Sequence, residues 1–361
     1  MIEMIQAPGL ATVQDLGRPG LRAQGVPPGG ALDPWALRLA NTIVGNESDA
    51  AGIEWLLGGG RIRFLKPMPL ALAGAEVAAF LDHPGPPART TPTRPTPIRP
   101  HQLAFARAGD VLRIDFCGTD EASGECLYLA FGGGIDTAPT LGSRSTLLAA
   151  ALGGFHGRRL QSGDRLPTAR RRWPPPRFAA TLLAGCPWRR PRPAIRFVPG
   201  PQWAEFGSDW QEAFCAVDFH VGRERDRAGM RLQSPLPPPA LGFARPSEPV
   251  TPGAIQILPT GQPIVLLADG PTVGGYPKIG TVFGADLGRL AQHRAGAAVR
   301  FAAGTVEEAA HALREAETWL RVLRAATRPA KPALPPPLFE ERNWPVLPAS
   351  NPAPAAPPFV H

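Results

Sequence analysis

The chain has 361 residues, 43% of them hydrophobic, with 40 glycines, 46 prolines, four cysteines and a formal charge of +8. That size supports two ordinary domains or one large one around a buried core, and the apolar share excludes a disordered chain. The cysteines form no C-x-x-C pair, no run of about 18 apolar residues occurs, and the N-terminus lacks a basic-then-apolar leader, so a zinc ribbon, a disulfide scaffold, a membrane span and a secretory signal are all argued against and a cytoplasmic protein is expected.

Glycine and proline in this excess belong in turns, which favours short strands over long helices. The first clear element is nonetheless a helix. Asp33 is a good N-cap, Pro34 suits the first helical position and Gly45 is the stop, with Trp35, Leu39 and Ile43 facing inward. Short strands follow at 53–57, 61–65, 70–73 and 77–81. Residues 84–100 read as a Pro/Thr-rich loop, and strands resume at 111–116 and 126–131. The interval 167–193 reads as a basic, Pro-rich linker with a candidate strand at 180–184. Further strands are expected at 194–198, 254–258, 263–268 and 298–302. The run 305–326 is the best helix. Thr305 and Glu308 form a capping box, and Val306, Ala309, Leu313, Ala316, Leu320 and Leu323 make one apolar stripe. Beyond 328 the Pro/Ala-rich sequence predicts a disordered tail, 329–361.

The expected organisation is therefore an N-terminal β domain (1–166), the linker, and a C-terminal β domain with a terminal helix (194–328). A weak internal echo fits it. Leu103-Ala104-x-x-Arg107-Ala108-Gly109-x-x-Leu112-Arg113 recurs as Leu290-Ala291-x-x-Arg294-Ala295-Gly296-x-x-Val299-Arg300, each copy a turn entering a strand.

The positive charge is local. Residues 157–196 hold eleven arginines against the single acid Asp164, and the rest of the chain is slightly acidic. The dense part, Arg170-Arg171-Arg172-Trp173-Pro174-Pro175-Pro176-Arg177, has no helical or strand period and no nucleic-acid motif beside it, so a solvated linker is favoured over a nucleic-acid arm. Only Lys66, Lys278 and Lys331 are lysines, and only Tyr128 and Tyr276 are tyrosines. Tyr276 and Lys278 fall two residues apart, and arginine cannot replace a lysine used as a tunable amine.

Several chemistries are missing. No P-loop, no G-x-G-x-x-G opening a helix, no H-E-x-x-H and no G-x-S-x-G elbow occurs. The seven histidines are scattered singly, so no metal site is expected. No lysine lies between two methionines, so the chain should not carry biotin itself.

Four polar, glycine-dense segments stand out. They are Thr12-Val13-Gln14-Asp15-Leu16-Gly17-Arg18-Pro19-Gly20, running on to Gly29-Gly30-Ala31-Leu32-Asp33; Phe131-Gly132-Gly133-Gly134-Ile135-Asp136 with Leu141-Gly142-Ser143-Arg144-Ser145-Thr146; Arg225-Asp226-Arg227-Ala228-Gly229-Met230-Arg231-Leu232; and Ser247-Glu248 through Gln256, Gln262 and Thr272-Val273-Gly274-Gly275-Tyr276-Pro277-Lys278. Together they resemble the biotin-dependent carboxyltransferase family. That family includes the C component of 5-oxoprolinase, allophanate hydrolase subunit 2, half of the urea carboxylase carboxyltransferase domain and the antagonist of a sporulation kinase inhibitor. The resemblance spans roughly residues 5–302. One departure is plain: the family's Ser-Asp-Arg-Met-Gly-Tyr-Arg-Leu reads Arg225 to Leu232 here, without the hydroxyl, the first methionine and the tyrosine.

The resemblance implies a mainly β protein of two cyclophilin-like barrel domains with a few short helices and one longer C-terminal helix. It implies the C component of an ATP-dependent 5-oxoprolinase, an amide (lactam) hydrolase that opens 5-oxoproline to glutamate with partners resembling the A and B components. ATP would be used by the complex, and this chain would bind no cofactor covalently. The alternatives are a carboxyltransferase or allophanate hydrolase-type subunit of urea degradation, with carboxybiotin on a partner chain, and a regulatory protein that antagonises a kinase inhibitor without turnover. Biotin's ureido ring, urea and a lactam are all planar, amide-like and carry one carbonyl, which glycine turns with exposed N–H groups can approach.

Within that frame Tyr276, Lys278 and Arg144 are the catalytic candidates. Arg144 either pairs with a substrate carboxylate or forms an ion pair with Asp136 or another acid. Ser143 and Ser145 either donate to the same anion or cap a turn. Gln256 and Gln262 are candidates for reading an amide face, Gln262 being equally a loop residue. Thr272, Gly274, Gly275, Gly29 and Gly30 are substrate-binding candidates, as is Asp33 beside its capping role. Gln14, Asp15 and Arg18 read as a cluster stapling the N-terminal turn.

Overall fold

The strand Gly60–Phe64 alternates buried Gly60, Ile62 and Phe64 with exposed Arg61 and Arg63, the period-2 signature of a sheet with one wet face. The computed structural model describes residues 1–56, 58–84, 95–116, 124–169, 186–187, 194–242 and 245–327. In it this strand belongs to a six-stranded antiparallel sheet of order Arg165–Leu166, Ile2–Gln6, Gly60–Phe64, Val111–Phe116, Val77–Asp82, Thr96–Ile98. A second, five-stranded sheet has the order Leu10–Gln14, Gly52–Leu56, Cys126–Phe131, Met68–Gly74, Ala104–Ala106. Its strands Gly52–Leu56 and Cys126–Phe131 are buried end to end, because both faces are covered. On one side the first sheet sends Ile62, Phe64, Leu112 and Ile114 against Leu70, Leu72, Leu127 and Leu129. On the other lies helix α1 (Pro34–Ile43), with Trp35, Leu39 and Ile43 buried and Asp33 Oδ1 accepting from the Ala36 N–H at 3.1 Å.

The second half forms an eight-stranded sheet of order Ala298–Val299, Phe219–Arg225, Gly229–Gln233, Pro263–Leu266, Ala254–Ile257, Lys278–Val282, Ile195–Pro199, Phe301–Ala303. Its two edge strands are separated in sequence by Arg300 alone, so the sheet curls into a nearly closed barrel. The expected strand 298–302 is thus two short strands facing opposite ends of one sheet, and the Arg300 carbonyl at the break accepts from the Ile195 N–H at 2.8 Å. Helix α2 (Ser208–Ala216) delivers Phe214 to an aromatic core with Phe197, Phe219 and Phe301, stacked on Phe301 at 5.2 Å. One core cluster runs across both halves, from Trp35 and Leu37 of α1 to Ile255, Ile279 and Leu290.

Arg196 and Asp286 fasten the start of the barrel. The Asp286 carboxylate, fully buried, accepts the Arg196 N–H (3.0 Å), Nε (2.8 Å) and Nη2 (2.8 Å). Burial alone would raise its pKa, but the Arg196 hydrogen bonds and charge outweigh burial and hold it below the ordinary value. A carboxyl depressed in the folded state stabilises above its unfolded pKa, about 3.9, and loses that contribution as pH falls through the folded value. The stability gap between wild type and Asp286→Asn should therefore be constant at neutral pH and shrink below about pH 4, read by urea unfolding at stepped pH.

Helix α4 (Val306–Thr327) has its capping box: the Thr305 N–H donates to Glu308 Oε2 (2.8 Å) and the Glu308 N–H to Thr305 Oγ1 (3.1 Å). Its buried face is Ala312, Ala316, Leu320, Leu323 and Thr327, whereas Val306 and Leu313 of the expected stripe are exposed. The helix packs against α1, and Arg38 of α1 grips Glu317 bidentately at 2.6 and 2.7 Å. In the internal echo, both copies have a left-handed glycine, Gly109 (φ 89°) and Gly296 (φ 91°), in a turn closed on the arginine carbonyl. A strand precedes the first turn, and helix α3 (Leu287–Ala291) the second.

The strands Ile2–Gln6, Leu10–Gln14, Phe219–Arg225, Gly229–Gln233 and Lys278–Val282 were not expected from sequence, nor was Thr96–Ile98 at the end of the Pro/Thr loop. Residues 85–94 of that loop lie outside the described residues. So do 170–185 and 188–193, which hold most of the basic linker and the candidate strand, and the tail from 328. Among the described residues no helix is long and apolar enough to cross a membrane, and no His, Cys, Asp or Glu cluster has metal-binding spacing.

Candidate functional site

Asp15 follows the strand Leu10–Gln14 and is the hub of the first cluster. Its Oδ1 accepts from Ser143 Oγ (2.6 Å), Ser145 Oγ and the Gly17 N–H (2.8 Å), and its Oδ2 accepts from the Arg144 N–H. Ser143 Oγ also accepts the Ser145 N–H, and Ser145 Oγ the Asp15 N–H. Both hydroxyls thus close the turn. Arg144 takes the ion pair, with Nη2 3.1 Å from Asp136 Oδ1. Gln14 Nε2 donates to Thr12 Oγ1 and the Thr146 carbonyl, and Arg18 Nη2 to the Ser145 carbonyl at 2.6 Å. The staple expected of Gln14, Asp15 and Arg18 is therefore built, and its far side is the segment 143–146.

Beside it lies a buried charge network that sequence reading did not assemble. Arg227 donates through Nε and Nη2 to both oxygens of Asp269 (2.8 and 2.9 Å), through Nη1 to Glu54, and through Nη2 to the Gly30 carbonyl (2.6 Å). Glu54 Oε2 accepts from the Leu32 N–H (2.8 Å) and Tyr128 Oη (2.7 Å), and Tyr128 Oη accepts the Asp33 N–H at 2.7 Å. Asp33 Oδ2 accepts from Gln292 Nε2 at 2.9 Å. Burial alone would lower the Arg227 pKa, but Glu54 and Asp269 outweigh it and hold the guanidinium raised. Burial pushes up Asp33, and also Asp269 against the opposing pull of Arg227. Asp33 is thus N-cap and network member at once. Glu54 had a sequence signal: it is the one acid in Gly52–Leu56, a strand buried throughout.

The third group sits at a corner of the barrel. Gln256 and Lys278 are direct partners across adjacent strands. Lys278 Nζ pairs with Glu248, while its N–H donates to Gln202 Oε1 at 2.6 Å. The hydrogen bond from Lys278 holds the Glu248 carboxyl below its ordinary range. Glu248–Pro249 pairs with Val273–Gly274 as a small ribbon, and the Thr272 carbonyl accepts the Val250 N–H. Gln256 is buried, and its Nε2 has no hydrogen-bond partner among the described residues. A Cβ on Gly274 would stand 2.5 Å from that Nε2, so glycine is what lets the backbone pass there. Tyr276 is 43% exposed beside this corner in sequence, and Gly275 packs near the Arg245 carbonyl. Gln262 closes the hairpin below, its carbonyl accepting the Leu258 N–H at 3.0 Å.

The structure thus gathers Ser143, Ser145 and the backbone of Arg144 around Asp15, Gly30 and Asp33 around the network, and Gln256, Gly274 and Lys278 at the barrel corner. The loop 267–277 connects the second group to the third, with Asp269 near one end and Gly274 near the other. Chemically, the corner offers an ammonium and a buried amide donor, two groups suited to a carbonyl oxygen that gains charge. The altered motif residue Arg225 is structural. It pairs with Glu125 and donates to the carbonyls of Ala291 and His293 at the end of α3.

A family model described as carboxyltransferase domain, subdomain A and B, matches residues 24–303. The C component of the 5-oxoprolinase of Haemophilus influenzae is 34% identical over 324 residues, which cover 90% of this chain and 98% of that protein. The protein of the same name from Escherichia coli is 34% identical over 323 residues, 90% and 97% of the two chains. The crystal structure of the Kluyveromyces lactis urea amidolyase aligns with a TM-score of 0.77 at 27% identity, over 89% of this chain and 20% of that longer one.

Proposed function

The chain belongs to the carboxyltransferase-domain family, and we propose that it serves as the C component of an ATP-dependent 5-oxoprolinase, one member of a complex that opens the 5-oxoproline lactam to glutamate. One observation carries this reading: the match to the Haemophilus influenzae protein runs over 98% of its length, whereas only 20% of the urea amidolyase chain is covered. A component of that kind works with further chains, here two partners resembling the A and B components, in the cytoplasm. The nucleotide chemistry is assigned to a partner, since this sequence has no phosphate-cradling Gly-rich loop. Lys278 Nζ and Gln256 Nε2 are the donors to the lactam carbonyl. Tyr276, two residues before Lys278, is the further candidate, and the Asp15 cluster holds the Arg144 backbone in place.

Reconstitution tests it. The chain is combined with its two candidate partners, and ATP hydrolysis and glutamate formation are followed with 5-oxoproline added. Activity that requires all three chains is expected. A well-folded complex with no 5-oxoproline-dependent turnover would overturn the reading. The likeness to urea amidolyase supports a second one, carboxyl transfer to or from a urea-like amide with carboxybiotin on a partner chain, and the same complex supplied with urea and a carboxybiotin donor tests that.

A further inference from the structure

The strand Phe219–Arg225 is bulged. Val221 pairs with Leu232 and Arg225 with Met230, so Gly222, Arg223 and Glu224 stand opposite the single Arg231. A bulge bends its strand and re-aims the side chains on it. Beside this one lies a hollow of about 410 Å³, bounded by the bulge, the turn that follows it and the strand Pro263–Leu266. That volume is in the range of small-molecule sites.

The hollow combines two chemistries. Its floor is apolar. Val265 belongs to the barrel core, so its neighbours Ile264 and Leu266 point the other way, out of the barrel. Ala228 and Pro271 extend that surface. Its rim is charged, and most of the charge is already used. Arg225 is held by Glu125 and the α3 carbonyls. Asp226 Oδ1 accepts the N–H groups of Ala228 and Gly229 at 2.7 and 3.0 Å. Arg231 meets Glu224 at 3.1 Å, but these side chains are 48% and 76% exposed, and a pair so wet exchanges readily. Arg223 is exposed and is joined to no acid among the described residues.

Two acids on the rim disfavour a polyanion, and the apolar floor gives nothing to a bare inorganic ion. One carboxylate on an apolar body satisfies both surfaces. Arg225 and Ala228 are also where this chain departs from its family's motif, which has serine and methionine there. The short side chain of Ala228 leaves space that a methionine would enter, so the hollow follows from this chain's own sequence.

We propose that the hollow is a binding site for a small monocarboxylate with an apolar body. Arg223, joined by Arg231 once it leaves Glu224, takes the carboxylate, and the body lies on Ile264, Leu266 and Pro271. The site depends neither on the 5-oxoproline reading nor on the Lys278 corner. It does adjoin the buried charge network. The Ala228 and Arg227 carbonyls accept the N–H groups of Leu267 and Asp269, both at 2.9 Å. A ligand against Ala228 therefore bears on the segment that holds Asp269 to Arg227.

The test uses the full chain alone, without partners or turnover, so its failure is separable from failure of the reconstitution. The chain is labelled at isoleucine and leucine methyl groups and titrated by NMR with benzoate and cyclopentanecarboxylate. Benzamide, acetate and 5-oxoproline are the controls, lacking in turn the charge, the body and the apolar ring. Both carboxylates are expected to shift the Ile264 and Leu266 methyls, with a dissociation constant of about 1 mM or below. The three controls should bind at least about tenfold more weakly, as loss of a charged hydrogen bond or of apolar contact predicts. Arg223→Gln should weaken binding about tenfold. Arg61→Gln removes the same charge from the exposed face of another sheet and should leave binding unchanged. Ala228→Met, which restores the motif residue, should weaken it by filling the hollow. Binding by any control as tight as benzoate, binding unchanged in Arg223→Gln or Ala228→Met, or no shift at Ile264 and Leu266 would overturn the proposal. The probe series needs no variant, so it decides the matter even if a substitution fails to fold.

Discussion

Replacing Arg227 with methionine is expected to cost about 3–5 kcal/mol of stability, the range for breaking a buried ion pair by removing one partner. Arg227 is 3% exposed and faces Glu54 and Asp269, which are equally enclosed. Methionine keeps much of the volume, so the loss isolates charge and hydrogen bonding. Two carboxylates would then lie buried without their cation, and the Gly30 carbonyl without its donor. Urea unfolding measures the cost, and the double variant Arg227→Met/Glu54→Gln should recover part of it, because one orphaned charge is gone. A loss below about 1 kcal/mol in the single variant would show that the network is not the hub of the two halves.

Lys278→Met should lower kcat/KM of the reconstituted complex by about 10²–10³-fold, the effect of removing one donor to a developing oxyanion. The fold should barely notice, since the Glu248 partner is 46% exposed and a pair so wet contributes little to stability. Lys278→Arg separates charge from position. Arginine keeps the pairing with Glu248 but moves its charge onto a broad planar fork. Turnover within about twofold of wild type in that variant would sink a special role for the amine, and a loss comparable to methionine would support it.

The sequence displays the strands Gly60–Phe64, Met68–Gly74, Ala254–Ile257 and Pro263–Leu266 and the two long helices because their signals are local: Asp33-Pro34, Thr305 with Glu308, and short apolar runs between glycines. It hides Phe219–Arg225 and Gly229–Gln233, where the exposed Arg223, Glu224 and Arg231 interrupt the apolar pattern. Lys278–Val282 starts inside a motif that reads as a turn. The candidate residues are legible one segment at a time, but their grouping is not. Nothing local says that Asp15 will accept two serine hydroxyls about 130 positions away, or that Arg227 will bridge a carboxylate from each half. Arg144 looks equally like a substrate clamp and a surface ion pair until Asp136 is seen beside it. Leu313 misleads for a related reason: helical period places it on the stripe, but the neighbouring Ala309 and Ala312 are what pack against Phe283 and Ala285.

The seam of the barrel has a consequence for synthesis. Ile195–Pro199 is joined in parallel to Phe301–Ala303, more than a hundred residues later. During translation the two N-terminal sheets have all their strands once residue 166 has emerged, but the later sheet keeps an open edge until residue 303 leaves the ribosome. Such an edge is a template for strand pairing between nascent chains, and non-local closures of this kind are slow. Shortened versions of the gene that stop before Arg300 should therefore yield aggregates rather than smaller soluble barrels, whereas slowing the final stretch of elongation lengthens the exposure without changing the finished fold.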